Sequence, residues 1–120
     1  MMLDWNEYQK RLSARIAEIG KVSPRTCRGY AMLNSAKAKT THLGEKARQL
    51  ISLAAAVTLR CDGCIIVYTD AALKAGASRE EMAEALGVAV AMNAGAAMVY
   101  SSRVLDAVKV KTQATPIAGA

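Results

Sequence analysis

The segment 82–100 restricts the fold of this chain more than any other feature, because apolar residues occupy every face of the helix that it predicts. Ser78 and Glu81 have the spacing of a capping box, in which two side chains bind free backbone N–H groups at a helix start. The helical pattern continues to about Lys109. A helix that is apolar all round must be buried, and a 120-residue monomer has little interior. We therefore expect this helix to lie between the subunits of a homo-oligomer.

Apolar residues at spacings of three and four predict further helices along the rest of the chain. Their expected ranges are residues 4–19, about 24–38, about 45–60 and about 62–75. Asn93 and Gly95 interrupt the pattern of the last helix, so we expect five or six helices in total. The sequence predicts a single all-α domain over residues 1–111 and a flexible tail over residues 112–120.

The composition favours packed helices over a sheet. Alanine fills 24 of 120 positions, and the aromatic residues are one Trp and four Tyr, with no Phe. Small side chains let helices pack closely but give a sheet little to bury. No uninterrupted apolar run approaches the ~20 residues that span a bilayer, and no charged leader precedes an apolar stretch. We therefore expect a soluble, cytoplasmic protein with no membrane partner.

Positive charge is concentrated in the first half of the chain. Of the net charge of +6, residues 1–60 contribute +7 (11 basic, 4 acidic) and residues 61–120 contribute −1 (5 basic, 6 acidic). The basic residues form no compact run and are not interleaved with aromatic residues, as they often are in nucleic-acid interfaces. Residues 71–95 resemble a helix-turn-helix, but the Glu residues of its second helix would repel phosphates. We expect a solvated basic surface and no nucleic-acid partner.

Cys61 and Cys64 form a C-x-x-C pair at the expected start of a helix. This spacing brings two sulfurs within bonding distance, and the free N–H groups of a helix N-terminus stabilise a thiolate. Structural zinc needs four ligands, and only Cys27 and His42 remain outside the pair, so we expect no metal. A structural disulfide is disfavoured in a cytosolic chain with an odd cysteine. A redox-active pair and an inert, helix-packed pair both remain open.

A resemblance to a known family rests on residues 48–95, RQLISLAAAVTLRCDGCIIVYTDAALKAGASREEMAEALGVAVAMNAG. A Leu/Ala-rich helix, C-x-x-C-I and A-A-L-K-x-G-A-[ST]-x-E-E follow one another in this stretch. The order resembles the core of the carboxymuconolactone decarboxylase-like superfamily over about residues 40–108, and most closely its AhpD-like alkylhydroperoxidase branch. The resemblance implies a small AhpD-like helical domain that assembles as a trimer or as a hexamer built from two trimers.

The same resemblance implies a role for each cysteine. Cys64 corresponds to the thiol that attacks a peroxide, and Cys61 to the thiol that resolves the product as a disulfide. A reducing partner, either a small dithiol or a lipoyl-bearing protein, then restores the two thiols. The sequence has no glycine-rich phosphate loop and no haem attachment motif, so we expect no cofactor. The implied activity is hydroperoxide reduction by a thiol–disulfide redox protein.

The chain departs from this family at the proton relay. The relay Glu corresponds to Gln49, the His within C-x-x-C to Gly63, and the following His to Tyr68. Gln has no titratable proton and Tyr is a poor base near neutrality, so we expect weak peroxide reduction. Tyr68 either packs or donates a hydrogen bond to Cys64, one helical turn away. His42 is a candidate replacement base, although a lone loop His is more often a surface group.

The three relay substitutions also support a different interpretation. The chain is then a catalytically impaired or engineered helical oligomer that acts as a scaffold or interaction module. The lactone decarboxylation of the parent superfamily is disfavoured. Those enzymes lack the cysteine pair and use charged or imidazole groups that have no counterpart in this sequence.

Overall fold

The computed structural model describes residues 1–38 and 42–113. These residues form five α-helices and no strand, which confirms the expected all-α class. Most of the expected flexible tail, residues 114–120, lies outside the described residues. The helices are α1 (Trp5–Val22), α2 (Pro24–Lys37), α3 (Glu45–Thr58), α4 (Asp62–Lys74) and α5 (Arg79–Thr112).

The core lies where α3 packs against α4 and α5. Its buried apolar residues are mostly alanines, and small side chains let helix axes approach closely. α1 packs against α2 and against α4, so α1 covers one side of the α4 helix. The buried core residues are Leu53, Ala56, Ala72, Ala77 and Ala89.

The expected capping box is confirmed at the start of α5. The Ser78 hydroxyl accepts the Glu81 backbone N–H, and the Glu81 carboxylate accepts the Ser78 backbone N–H, both at 3.0 Å. The same carboxylate lies 2.9 Å from the Lys46 ammonium, so it also ties α5 to α3. The hydrogen bond from Lys46 and the backbone bond from Ser78 lower the pKa of Glu81 below its ordinary value.

α5 is one unbroken helix of 34 residues. The interruptions expected at Asn93 and Gly95 are wrong, because the Asn93 side chain finds acceptors without breaking the helix. Its Nδ2 donates to the Ala89 carbonyl at 2.7 Å and to the Thr58 hydroxyl of α3 at 3.1 Å. Asn93 therefore joins two helices. Thr112, the first residue of the expected tail, still belongs to α5.

Most of the α5 surface is exposed in the single chain, and Ala89 is its one buried residue. By length and composition alone, α5 is the one helix among the described residues that could cross a membrane. Its most apolar 18-residue window has a mean hydropathy of 1.5 and is 6% buried. The absence of a membrane partner therefore stays a prediction. The exposed large apolar residues of α5 are Val88, Val90, Met92, Met98, Val99, Tyr100, Val104, Leu105, Val108 and Val110.

Candidate functional site

Cys61 follows the end of α3 and caps the start of α4. Its N–H donates to the Ala56 carbonyl, and the Arg60 N–H donates to the Val57 carbonyl, both at 3.1 Å. These bonds form a Schellman motif, in which Arg60 takes the left-handed conformation at φ 58°. The Cys61 sulfur then accepts the Cys64 N–H at 3.2 Å, as an N-cap side chain does. Backbone contacts of both helices therefore hold Cys61 in place.

A disulfide joins Cys61 to Cys64 across the first turn of α4, with the two Cα atoms 5.2 Å apart. Both residues are half-buried. This turn is the N-terminal end of α4, and the free N–H groups and positive dipole end of a helix N-terminus favour a thiolate over a thiol in proteins. Within residues 1–38 and 42–113, no three His, Cys, Asp or Glu side chains gather as a metal site.

The disulfide lines a cavity of about 720 Å³ between α1, α2 and α4. The apolar part of its wall comes from Leu12, Ile16 and Val67. Cavities of roughly 300–1,000 Å³ with a few polar groups are typical of small-molecule sites. The cavity therefore gives a small organic molecule access to the sulfurs. Its polar and charged side chains are those of Tyr8, Ser13, Tyr30, Arg60, Asp62 and Tyr68.

Gly63 lies where α1 packs against the first turn of α4. A Cβ atom at this residue would come within 2.4 Å of the Leu12 Cδ2 atom. Any side chain at position 63 must therefore displace Leu12, which also lines the cavity. The His that the resemblance places within C-x-x-C would therefore require the Leu12 side chain to move.

Tyr68 lies one turn after Cys64 on α4 and lines the same cavity. The Lys37 ammonium, in the last turn of α2, donates a hydrogen bond to the Tyr68 hydroxyl. The same ammonium lies 4.1 Å from the centroid of the Tyr68 ring, which is a cation–π distance. Tyr68 is therefore a polar contact between α2 and α4 as well as a packing residue.

Gln49 is not among the residues that line the cysteine cavity. It lines a second cavity of about 350 Å³, together with Lys37. Its amide nitrogen donates to the Glu45 carboxylate at 3.3 Å, while its buried amide oxygen has no hydrogen-bond partner among the described residues. Because Lys37 lines the second cavity and also binds Tyr68 of the first, it connects the two cavities.

His42 lies in the bend before α3 and is exposed. It is not among the residues that line either cavity, so the structure does not place it beside the cysteine pair.

Two residues at the cysteine site were not predicted from the sequence. Lys37 is 31 residues from Tyr68, and no local pattern links them. Arg60 lines the cysteine cavity, and its position directly before Cys61 is the sequence signal that points to it.

The chain is similar to known proteins both in sequence and in fold. A model of the carboxymuconolactone decarboxylase family matches residues 24–107. An uncharacterised protein of Haemophilus influenzae is 44% identical over 111 residues, covering 92% of this chain and 98% of that protein. An uncharacterised protein of Cupriavidus necator is 27% identical over 105 residues, covering 88% and 93% respectively. The crystal structure of an apo carboxymuconolactone decarboxylase family protein from Legionella pneumophila superposes with a TM-score of 0.69 at 33% identity, covering 86% of this chain and 92% of that one.

Proposed function

Because this chain belongs to the carboxymuconolactone decarboxylase family, we propose that it is an AhpD-like thiol–disulfide redox protein that reduces hydroperoxides weakly through Cys64 and Cys61. One observation carries this proposal: the disulfide at the N-terminus of α4 lines a largely apolar cavity. A hydroperoxide with an apolar substituent suits such a cavity, because the substituent packs on the walls while the O–O group meets the sulfurs.

In the proposed cycle the Cys64 thiolate attacks the terminal oxygen of the hydroperoxide. A sulfur–oxygen bond forms as the O–O bond breaks, and the alkoxide leaves as an alcohol after taking up a proton. The Cys61 thiolate then attacks the resulting sulfenic acid, so that the disulfide forms and water leaves. An external dithiol, small or lipoyl-bearing, reduces the disulfide and is itself oxidised to a disulfide. The cycle needs a reductant but no bound cofactor.

The N-cap bond of Cys61 supports its role as the resolving thiol. Its sulfur accepts the Cys64 backbone N–H, and such a bond is stronger when the acceptor is charged. A stabilised Cys61 thiolate is available for the resolving step. It is also the better leaving group when a reductant attacks the Cys64 sulfur.

The altered relay positions support weak turnover. Gln49 lines a different cavity from the cysteines, and Leu12 fills the space beside Gly63. Neither Gln49 nor Gly63 supplies a titratable base that could deprotonate the Cys64 thiol, and a positioned general base typically contributes ~10²–10⁴-fold to a rate. We therefore expect peroxide reduction that is faster than that of an unfolded thiol but slow for an enzyme.

The exposed apolar surface of α5 supports a homo-oligomer, either a trimer or a hexamer. Gly87 and Gly95 have nothing within 4 Å of the position that a Cβ would take. Each Gly costs an interior helix position about 1 kcal/mol relative to Ala, and close approach of a second helix would account for both. In sedimentation velocity without detergent we expect no 12.7 kDa species at micromolar concentration. A stable monomer, or binding to lipid vesicles instead of self-association, would contradict this assembly.

The second candidate function is that of a helical scaffold whose chemistry has decayed. Its specific support is the packing of Leu12 against Gly63, which closes the relay site. Cytoplasmic location belongs to both candidates and stays a prediction.

Peroxide-driven oxidation of the reduced protein separates the two candidates. With cumene hydroperoxide and dimedone, we expect the wild type to form the 61–64 disulfide and Cys61→Ser to accumulate a dimedone adduct at Cys64. Cys64→Ser should form neither product. Cys27→Ser is the matched control, since Cys27 is a free, half-buried thiol of α2 that does not line the cavity. Oxidation no faster than in the guanidinium-unfolded chain would favour the scaffold.

A further inference from the structure

We infer that Tyr68, held in place by Lys37, donates a hydrogen bond to the Cys64 thiolate and then a proton to the departing oxygen. Tyr68 is the catalytic residue of this pair, and Lys37 is a positioning residue that acts through it. The proton transfer rests on the proposed hydroperoxide reduction, whereas the hydrogen bond to the thiolate needs only the reduced protein.

The hydrogen bond from Lys37 makes the Tyr68 hydroxyl oxygen an acceptor and leaves the hydroxyl hydrogen available to another group. An ammonium group has donors and no acceptor, so the Tyr68 oxygen is the acceptor of this bond. The hydrogen of the Tyr68 hydroxyl is therefore directed elsewhere. Across residues 1–38 and 42–113, the hydroxyl makes no second hydrogen bond. One O–H donor is thus left for an acceptor that appears in the cavity.

The reduced Cys64 sulfur is such an acceptor. Side chains on a helix tilt toward its N-terminus, so Tyr68 leans over the turn that carries Cys64, four residues earlier. Both residues line the same cavity. Asp62 is the one carboxylate among the lining residues, and it is exposed and lies six residues before Tyr68, on a different face of α4.

The proposed proton transfer balances. As the Cys64 sulfur bonds to the terminal oxygen and the O–O bond breaks, the departing alkoxide takes the Tyr68 proton and leaves as an alcohol. An alkoxide is a stronger base than a phenolate, so this transfer is favourable. The Lys37 ammonium then returns a proton to Tyr68 and regains one from water. The pair thereby supplies a proton path that the altered positions 49 and 63 do not supply.

The test measures alkylation of Cys64 by iodoacetamide against pH, in a Cys61→Ser background that prevents the disulfide. We expect Tyr68→Phe to raise the midpoint of the profile by about one pH unit, since a hydrogen bond to a charged group is lost. Lys37→Met should shift the midpoint in the same direction, and Lys37→Arg should restore it. Lys74→Met is the matched control, because Lys74 is an exposed α4 lysine paired with Asp70 at 2.8 Å.

Each outcome decides one part of the proposal. A Tyr68→Phe profile that coincides with its parent overturns the hydrogen bond to Cys64. A shift with Tyr68→Phe but none with Lys37→Met overturns the role of Lys37. In the chain with both active-site cysteines, Tyr68→Phe should also slow oxidation by cumene hydroperoxide by about 10²-fold. Shifted alkylation profiles in a protein that peroxide does not oxidise would refute the proposed function while leaving the Tyr68 contact intact.

Discussion

The junctions α3–α4 and α4–α5 share one backbone geometry but differ in the residues that build it. At each, the residue that follows the helix C-cap is left-handed: Arg60 at φ 58° and Gly76 at φ 86°. At each, the next N–H bonds to the carbonyl five residues earlier, at 3.1 Å and 2.9 Å. These donor–acceptor pairs are Cys61 with Ala56, and Ala77 with Ala72.

The α4–α5 junction uses the residues that each position prefers. Gly76 takes the left-handed conformation without a Cβ penalty, and Ser78 caps the next helix within a capping box. The α3–α4 junction does not. A non-Gly residue in the left-handed region costs about 1–2 kcal/mol, and Cys61 caps α4 where Ser, Asp or Asn is preferred. Departures of this kind concentrate at functional sites, and this one carries the cysteine pair.

The largest effect is expected from Gly76→Ala, which makes the second junction resemble the first. The new Cβ meets nothing within 4 Å, so the cost is that of the left-handed backbone. We expect a loss of about 1–2 kcal/mol in the free energy of unfolding, measured by urea denaturation at fixed protein concentration. Gly29→Ala, on the open face of α2, is the control and should stabilise slightly. Equal stability of Gly76→Ala and the wild type would show that a side chain costs nothing in this left-handed conformation, which would contradict the expected difference between the two junctions.

The converse change, Arg60→Gly, should have a smaller effect of opposite sign. Relief of the left-handed strain should raise the free energy of unfolding by roughly 0.5–1 kcal/mol. The gain is reduced because the Arg60 guanidinium also donates to the Val57 carbonyl at 3.2 Å. We also expect slower alkylation of the cysteines, since a cation leaves the cavity wall. Arg60→Ala separates the effects, because it removes the charge and keeps the strain.

The smallest effect concerns pH at the capping box of the second junction. The folded state lowers the pKa of Glu81 below its ordinary 4.5, chiefly through Lys46. The carboxylate therefore stabilises the fold above that pH, and this contribution is lost as the pH falls through the folded-state pKa. In Lys46→Met, the free energy of unfolding should fall less between neutral and acid pH than it does in the wild type, as measured by urea denaturation over that range. Arg15→Met, which removes an exposed ion pair of α1, is the control and should show the wild-type pH dependence of the unfolding free energy.

Local chemistry explains what the sequence could predict. Helix periodicity and the Ser78–Glu81 spacing depend on neighbouring residues, and the structure places helices and the capping box as expected. The Cys61–Cys64 contact is equally local, because three residues at a helix start bring both sulfurs together. The family resemblance could be inferred from the sequence for the same reason, because the residues of its motif lie in one continuous segment.

The features that sequence reasoning missed depend on distant contacts. Asn93 interrupts the apolar pattern, but its side chain donates to the Ala89 carbonyl and to the Thr58 hydroxyl of another helix, and the Thr58 contact is not visible in the sequence. No sequence pattern links Lys37 to the cysteine site, because its contact with Tyr68 depends on how α2 lies against α4. The need for Gly at residue 63 comes from the packing of Leu12, which is 51 residues earlier in the chain and could not be linked to it by any local pattern.

If the α3–α4 junction activates its cysteine pair, at least one of the two thiols must ionise more readily in the folded chain than in the unfolded chain. The most direct measurement is the alkylation rate of Cys61 and Cys64 against pH in the reduced wild type, with the guanidinium-unfolded chain as reference. We expect the folded profile to have its midpoint well below the ~8.5 of an ordinary cysteine, while the unfolded chain titrates near that value. Coincident profiles, or cysteines that react only after unfolding, would contradict this activation and leave a structural disulfide in a helical scaffold.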